Sequence, residues 1–129
     1  MTRRLLFAIT LFVLVSAPAL LAQDVGRSLR WGRPQFPRGG ACFFKDSGFQ
    51  GDYFCLRSGQ MAGSLPSGFN DRISSVRLFG RSRASIFNNS NFRGENITFR
   101  RDVPDLRAFR LRSDPGKNWG DRISSIQIR

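Results

Sequence analysis

The chain has 129 residues, with 21 lysine and arginine residues against 9 aspartate and glutamate residues, for a formal net charge of +12. It has two cysteines and no histidine. These counts leave little for catalysis: there is no histidine base, no recognisable acid/base pair among the acidic residues, and no phosphate-cradling glycine loop before a helix. We therefore expect a protein that is not an enzyme.

The first 22 residues have the layout of a secretory signal peptide. Arg3 and Arg4 precede an apolar run at residues 5–15, and small residues follow up to Ala22. This layout predicts cleavage after Ala19 or after Ala22. An uncleaved membrane anchor is the alternative, but the run is shorter than the roughly 20 residues that span a bilayer. We therefore expect a secreted or periplasmic protein without a membrane anchor after cleavage.

Residues 23–40 form a basic leader that lacks periodicity and is rich in glycine and proline, which predicts flexibility. Trp31 and Phe36 could pin this leader onto the domain or onto a partner. Without Arg3 and Arg4, the mature chain keeps 19 basic and 9 acidic residues, a net charge of +10. This surplus favours an anionic partner such as a cell-envelope polymer, anionic lipid or nucleic acid. The alternative is that the scattered arginines only solvate the surface.

Six short runs with strand character follow the leader, separated by clusters of glycine, asparagine, serine and proline. They lie at residues 41–44, 52–57, 73–79, 85–87, 96–100 and 123–128. Many short strands at regular spacing indicate an antiparallel sandwich or barrel. We therefore predict one all-β domain at residues 41–129.

The domain contains an internal duplication. The segment Asp-Arg-Ile-Ser-Ser occurs at residues 71–75 and again at residues 121–125. Upstream of each copy stands an aromatic-x4-aromatic-x-Gly pattern, formed by Phe44, Phe49 and Gly51 and then by Phe87, Phe92 and Gly94. A repeat unit usually cannot bury its apolar face alone. We expect a first repeat at about residues 41–80 and a second at about residues 84–129, the second with a longer connection at about residues 102–118.

The two cysteines flank the first predicted hairpin. Pairing residue 43 with residue 54 places Cys42 opposite Cys55. In an oxidising compartment such a pair usually forms a disulfide, which contributes roughly 3 kcal/mol in the chain-entropy model. Zinc is the alternative, but two thiols without a histidine cannot complete a site. The equivalent residues of the second repeat are Ser85 and Thr98, so the bridge belongs to one hairpin only.

The paired aromatic-glycine patterns resemble the Greek key signature of the βγ-crystallin family. Gly51 and Gly94 fall where the folded hairpin of that family needs a positive φ. The resemblance implies an all-β fold in which two four-stranded Greek key motifs pack as a βγ-crystallin-like sandwich. It also implies that Ser75 and Ser125, near the start of the last strand of each motif, bond back onto the hairpin.

The resemblance further implies two weak calcium sites, because residues 70–75 fit the family pattern Asn/Asp-Asn/Asp-x-x-Ser/Thr-Ser. Side-chain oxygens would come from Asp71 and Ser74, and in the second motif from Asp121 and Ser124, where Gly120 replaces the expected Asn or Asp. Backbone carbonyls of the turns would add to each site, and each motif would lend hairpin carbonyls, near residues 45–46 or 88–89, to the site of the other. The full candidate set is Asn70, Asp71, Arg72, Ser74, Asp121, Arg122 and Ser124, with Asp46 and Asn89 from the hairpins.

Two considerations limit these calcium sites. Arg72 and Arg122 place a cation beside each turn, so we expect affinities of roughly 10⁻⁴–10⁻³ M, as in extracellular modules. In addition, aspartate and serine at a strand entrance can cap a turn without any metal.

Two functions follow from the resemblance. The first is a secreted, monomeric module that calcium stabilises outside the cell. The second is a peptidase inhibitor, because small secreted bacterial metalloproteinase inhibitors share this fold. The cysteine followed by aromatic residues at the start of the domain also resembles that inhibitor family. Inhibition would need a rigid protruding segment, either the disulfide-closed hairpin at residues 44–53 or the long connection at residues 102–118. The fold alone does not confer inhibition.

Overall fold

The structure is a computed structural model that describes residues 35–129. The predicted signal peptide and most of the predicted leader, with Trp31, lie outside the described residues. Seven strands follow in chain order: β1 (Gly40–Asp46), β2 (Gln50–Arg57), β3 (Met61–Ala62), β4 (Ser75–Phe79), β5 (Ala84–Asn89), β6 (Arg93–Phe99) and β7 (Ser125–Ile128). A short 3₁₀ turn at Leu106–Ala108 lies between β6 and β7. None of the helical structure in residues 35–129 is long and apolar enough to cross a membrane.

The strands form two antiparallel sheets that exchange segments between the repeats. The first sheet has the order β2-β1-β4 and the second the order β3-β7-β5-β6. Thus β3, from the first repeat, pairs with β7 of the second. In the opposite direction, Val103 of the second repeat bonds to Val76 in β4 through two backbone hydrogen bonds of 2.8 and 2.9 Å. The two-sheet Greek key sandwich predicted from the sequence is therefore confirmed.

All six predicted strands are present, with shifted ends. The predicted runs at residues 73–79 and 123–128 begin two residues late, at Ser75 and Ser125. The reason is that the carbonyls of Ile73 and Ile123 accept N–H groups from the opposite repeat instead of joining a ladder. Strand β3 was not predicted, because two residues are too few to show alternation.

The core lies between the two sheets. The first sheet contributes Phe43 and Phe54, the second contributes Ile86 and Ile126, and all four side chains are fully buried. Two polar turns, the first at residues 70–74 and the second at residues 120–124, are each preceded by a large aromatic residue. These residues, Phe69 and Trp119, close the core at equivalent positions with 1% exposure each. Fully burying a side chain of this kind contributes about 1.5–3 kcal/mol relative to leaving it exposed.

On the outer face, the two repeats carry different cross-strand pairs at the same position. Cys42 lies opposite Cys55 in the β1–β2 register, and the two form a disulfide with a Cα–Cα distance of 4.1 Å, which confirms the predicted bridge. In the second repeat, Ser85 lies opposite Thr98 and their hydroxyls are 2.7 Å apart in a hydrogen bond. A covalent bond in one repeat thus corresponds to a hydrogen bond in the other.

The described end of the predicted leader packs on the first sheet. The ring of Phe36 stacks 5.1 Å from that of Phe79 and lies 5.5 Å from that of Tyr53. The guanidinium of Arg77 lies 5.8 Å from the centre of the Phe36 ring. Of the two alternatives for Phe36, the structure therefore favours contact with the domain.

Candidate functional site

The two hairpins are held by a buried serine each, with the same geometry. Ser75 Oγ accepts from the N–H of Phe49 at 3.1 Å and donates to the carbonyl of Asp46 at 2.6 Å. Ser125 Oγ accepts from the N–H of Phe92 at 3.0 Å and donates to the carbonyl of Asn89 at 2.6 Å. Both serines are fully buried. The hairpin carbonyls in the candidate calcium set therefore already accept one hydrogen bond each, which leaves each a second lone pair.

The folded hairpins depend on glycine at equivalent positions. Gly51 and Gly94 both have φ of 80°. A Cβ on Gly51 would lie 2.6 Å from the carboxylate of Asp46, and one on Gly94 would meet the side chains of Asn88 and Asn89. Both backbone conformation and space therefore exclude a side chain.

The two polar turns bind each other reciprocally. The N–H of Asp71 donates to the carbonyl of Ile123 at 3.1 Å, and the N–H of Asp121 donates to the carbonyl of Ile73 at 3.0 Å. Both aspartates adopt the left-handed conformation, with φ of 55° and 56°, which aspartate tolerates better than most residues. The turns therefore lie side by side between the repeats.

The first turn brings oxygen ligands together across the repeats. Asp71 Oδ1 accepts from Ser124 Oγ at 3.2 Å, although the residues are 53 positions apart. Asn70 Nδ2 donates to the other carboxylate oxygen at 3.2 Å. The sequence had grouped Asp71 with Ser74 of its own motif, whereas the hydrogen bond joins it to the serine of the other motif. Asn70, Asp71 and the neighbouring Arg72 are all exposed.

The second turn differs because an arginine from the long connection lies against it. A Cβ on Gly120 would lie 2.8 Å from Cγ of Arg107, so an Asn or Asp there would displace that side chain. Arg107 forms a salt bridge of 3.0 Å with Asp105, and this hydrogen bond, with the charges of Asp105 and Asp121, raises the pKa of Arg107. Between residues 35 and 129, no hydrogen bond joins Asp121 to Ser74. No sequence pattern predicted the contact of Arg107 with Gly120, and its only signal was the longer connection of the second repeat.

The oxygen donors of the first turn suit calcium better than those of the second. No cluster of three metal-binding His, Cys, Asp or Glu side chains occurs within residues 35–129. The first turn offers one carboxylate, from Asp71, and the hydroxyl of Ser124, which are hard ligands of the kind that calcium accepts. At the second turn, Arg107 lies against Gly120, the charge of Asp121 contributes to the raised pKa of Arg107, and Arg122 is half-buried.

The long connection of the second repeat forms a hairpin at residues 109–119 that backbone hydrogen bonds hold together. We call it the basic hairpin. Backbone hydrogen bonds of 2.9 Å join Trp119 to Phe109, Leu111 to Lys117, and Lys117 to Asp114. Leu111 and Trp119 are buried, with 5% and 1% exposure, whereas residues 112–117 are all exposed. The hairpin thus has an anchored base and an exposed tip.

Glu95 of β6 binds the exposed tip of the basic hairpin, residues 112–117. Its carboxylate accepts from the N–H groups of Arg112 and Ser113, and from Ser113 Oγ at 2.8 Å. The hydroxyl of Ser113 is the main cause of a lowered pKa of Glu95, and the charge of Arg112 adds to it. No sequence pattern pointed to Glu95, because its partners lie 17 and 18 residues away in a connection without periodicity.

Three comparisons place this geometry among known proteins. A family model described as peptidase inhibitor family I36 matches residues 33–99. A structure from work on the evolution of the eye-lens βγ-crystallin domain fold is 28% identical, with a TM-score of 0.64, and the match covers 79% of this chain and 97% of that one. No curated protein matches the chain.

Two further solved structures have the same fold. A βγ-crystallin domain from Flavobacterium johnsoniae is 25% identical with a TM-score of 0.53, over 69% of this chain and 92% of that one. A βγ-crystallin domain of the abundant perithecial protein from Neurospora crassa, in its Ca²⁺-bound form, is 20% identical with a TM-score of 0.55, over 74% and 93% of the two chains.

Proposed function

The chain belongs to peptidase inhibitor family I36, and we propose that it acts as a secreted, non-catalytic inhibitor of peptidases. The observation that carries this proposal is the family match, which extends from residue 33 through the end of β6. The match includes the disulfide, both folded hairpins and the first polar turn. The proposed function therefore belongs to a double Greek key domain whose partner is another protein. The backbone of this domain, with the contacts that hold it, is called the frame below.

The rigidity of the frame supports inhibition. An inhibitor binds tightly when little conformational entropy is lost on binding, so its contact segments must be held before the peptidase arrives. Here the disulfide closes the first hairpin, Ser75 and Ser125 tie both hairpins to their last strands, and the polar turns bind each other.

The residue content supports binding without catalysis. The whole chain has no histidine, and both cysteines are in the disulfide. Such a surface offers shape and positive charge to a partner, without an imidazole base or a free thiol.

A secreted inhibitor requires export, which the layout of residues 1–22 favours. Expressed with its own first residues in a secreting host, the protein should be recovered from the exported fraction with a mature chain that begins after Ala19 or Ala22. Intact mass spectrometry would read the new N-terminus. A chain of full mass, retained in the membrane fraction, would contradict the export step.

The proposal is tested by titrating purified mature chain into a panel of secreted metallo- and serine peptidases and measuring residual activity. We expect a stoichiometric loss of activity for at least one class at micromolar chain. A reduced and alkylated chain, unfolded by urea and diluted, serves as the control for a competing substrate. Full residual activity across the panel would overturn the proposal.

We propose calcium as a second ligand, at the first turn only. The contact between Asp71 and Ser124 favours it, since a carboxylate and a hydroxyl from opposite repeats already face each other at 3.2 Å. With one carboxylate beside Arg72, the dissociation constant should be roughly 10⁻⁴–10⁻³ M. The neighbouring Arg107 would disfavour an ion at the second turn by charge repulsion.

Thermal unfolding with 10 mM calcium and with a chelator tests this ligand, because an ion that binds only the folded state raises the melting temperature. We expect a shift for the wild type that is lost in Asp71→Asn and kept in the matched variant Asp121→Asn. Equal shifts in both variants would contradict the assignment to the first turn.

A further inference from the structure

The fold gathers at one end of the sandwich arginines that are spread along the sequence. Strands β1 and β5 begin at this end, and β2, β4, β6 and β7 finish there. Four segments form it, at residues 38–40, 57–60, 80–83 and 99–101. They carry six exposed arginines, which we call the arginine pole: Arg38, Arg57, Arg81, Arg83, Arg100 and Arg101. Net charge alone predicted an anionic partner, and the fold now places half a dozen positive charges on one surface.

Hydrogen bonds join the segments of the arginine pole to one another and to the last strand. The N–H of Ser58 donates to the carbonyl of Gly39 at 3.1 Å, and Arg83 and Arg129 exchange two backbone bonds of 2.7 and 2.9 Å. The hydroxyls of Ser58 and Ser82 are 2.6 Å apart in a hydrogen bond. The arginines that flank these two serines therefore lie on adjacent segments of fixed backbone.

The remaining arginines of the pole are placed by close backbone approach and by strand register. A Cβ on Gly80 would lie 3.0 Å from the carbonyl oxygen of Arg38, so the segments before β1 and after β4 touch. Phe99 lies opposite Ala84 in the β5–β6 register, and residues 100–101 follow it directly. All four segments thus meet at the same end.

The charge of the arginine pole is not balanced within the described chain. Its four segments contain no aspartate or glutamate, and none of its six arginines forms a salt bridge within residues 35–129. The next acidic residue along the chain, Asp102, accepts the N–H of Leu78 at 2.7 Å. Like charges on a fixed backbone repel one another. An anionic partner would relieve this repulsion.

The opposite end of the sandwich mixes charges of both signs. It holds the two folded hairpins and the two polar turns, where Asp71 stands next to Arg72 and Asp121 next to Arg122. The two ends therefore differ in charge, and only the arginine pole presents a surface of one sign.

The composition of the arginine pole favours a partner that is recognised by its charge. Besides arginine, its segments hold only glycine, serine, one glutamine and the buried Phe99. Single-stranded nucleic acid is bound with exposed aromatic rings on which bases stack, and a bilayer surface is bound with apolar side chains inserted. The two exposed large hydrophobic residues within residues 35–129, Phe36 and Met61, both lie outside these segments. Guanidinium groups, in contrast, bind carboxylates and similar oxyanions through two parallel hydrogen bonds.

We propose that the arginine pole binds a linear anionic polysaccharide outside the cell, through carboxylate or sulfate groups spaced along the polymer. This inference goes beyond peptidase inhibition and uses only the export proposed above. A polymer bound at this end leaves the folded hairpins and the polar turns at the opposite end exposed to solvent. Binding would therefore hold the exported protein at a polysaccharide-rich surface without covering that opposite end.

The test measures dissociation constants of the mature chain for heparin, a sulfated polysaccharide, and for polygalacturonate, a carboxylated one, over a range of salt concentrations. The pole variant carries Arg57→Gln, Arg81→Gln and Arg83→Gln. The matched control carries Arg72→Gln, Arg93→Gln and Arg112→Gln, which removes the same charge from three exposed arginines elsewhere.

The two variants should differ strongly although their net charges are equal. At about 100 mM salt, the pole variant should bind at least one of the two polysaccharides about 100-fold more weakly than the wild type, and the control less than about 5-fold more weakly. The slope of log affinity against log salt should fall by about 2–3 in the pole variant, because three fewer counterions are released. Equal losses in the two variants would overturn the assignment to the arginine pole.

The melting temperature gives a second readout that does not depend on a ligand. In low salt, the pole variant should melt no earlier than the wild type, because the substitutions remove repulsion between like charges. Heparin should raise the melting temperature of the wild type and not that of the pole variant. A pole variant that melts clearly earlier without ligand would show that these charges are already balanced within the fold, which contradicts the proposal.

Two further probes decide the class of partner. Vesicles that contain anionic phospholipid and a single-stranded DNA oligonucleotide should each bind the wild type more weakly than the better of the two polysaccharides. Tighter binding to the vesicles or to DNA would overturn the partner class, and no binding to either polysaccharide at about 100 mM salt would overturn the proposal as a whole. A chain that binds polysaccharide and inhibits no peptidase would leave this inference standing and overturn the proposed function.

Discussion

The two repeats share one hydrogen-bonded frame and differ in what is built on it. Ser75 and Ser125 donate to their hairpins over the same distance, 2.6 Å, and the reciprocal bonds of Asp71 and Asp121 differ by only 0.1 Å, at 3.1 and 3.0 Å. The first repeat adds a disulfide, and the second adds the basic hairpin. The duplicated residues therefore fix the same backbone in both repeats, whereas the disulfide and the basic hairpin lie where the repeats diverge.

The two polar turns also differ between the repeats, in the side chains that surround them. The first turn has Asn70 and an exposed carboxylate that contacts Ser124. At the second, glycine at position 120 leaves room for Arg107 of the long connection. A single change of side chain, together with a longer connection, thus adds Arg107 to the second turn at the position where the first turn has Asn70.

The largest expected effect concerns the aromatic residue that precedes each polar turn. Trp119→Ala should destabilise the protein by about 3–5 kcal/mol, because it leaves a cavity under the basic hairpin. Phe69→Ala, at the equivalent position, should cost a similar amount. Urea unfolding followed by circular dichroism measures both. A cost below about 1 kcal/mol for Trp119 would show that the two positions are not equivalent in the core.

Exchanging the cross-strand pairs between the repeats tests the difference between the disulfide of the first hairpin and the hydrogen bond of the second. Cys42→Ser with Cys55→Thr gives the first repeat the pair found in the second, and should cost roughly 3 kcal/mol. Ser85→Cys with Thr98→Cys does the reverse, and the facing hydroxyls at 2.7 Å indicate that a second bridge can form there. Mass spectrometry before and after reduction would count the bridges. A free pair of thiols in the second repeat would show that its hairpin does not match the first.

The serine ties should have equal effects in the two repeats. Ser75→Ala and Ser125→Ala each leave a hairpin carbonyl and an N–H group without their buried partner, at a cost of about 1–3 kcal/mol. Unfolding midpoints in urea compare the variants directly. If one substitution cost several times more than the other, the frame would not be symmetric.

The smallest expected effect is a pH-dependent loss of the hydrogen bonds between Glu95 and the basic hairpin. Because the pKa of Glu95 is lowered in the folded protein, its hold on the basic hairpin is complete above the unfolded pKa of a glutamate and is lost as the pH falls through the folded pKa. Amide hydrogen exchange at Arg112 and Ser113, corrected for intrinsic rates, should therefore lose protection in acid. The matched variant Glu95→Gln should show weak protection at every pH, and an unchanged protection of the wild type down to pH 2 would contradict this role.

Much of the frame could be predicted because the duplication repeats the information. Pairing residue 43 with residue 54 in the predicted hairpin placed Cys42 opposite Cys55, and the glycine pattern located both hairpins. Strand β3 was missed because it has two residues and is defined by its partner β7. The contacts of Asp71 with Ser124, and of Glu95 with the hairpin, join distant residues without any local pattern. Such contacts depend on how the repeats pack, which periodicity does not encode.

The most direct test of the account is a stoichiometric titration of secreted metallo- and serine peptidases with the mature wild-type chain, at peptidase concentrations well above the inhibition constant. The account predicts, for at least one peptidase class, a linear fall to near-zero activity at one wild-type chain per peptidase. Full activity in the presence of excess wild-type chain would contradict it.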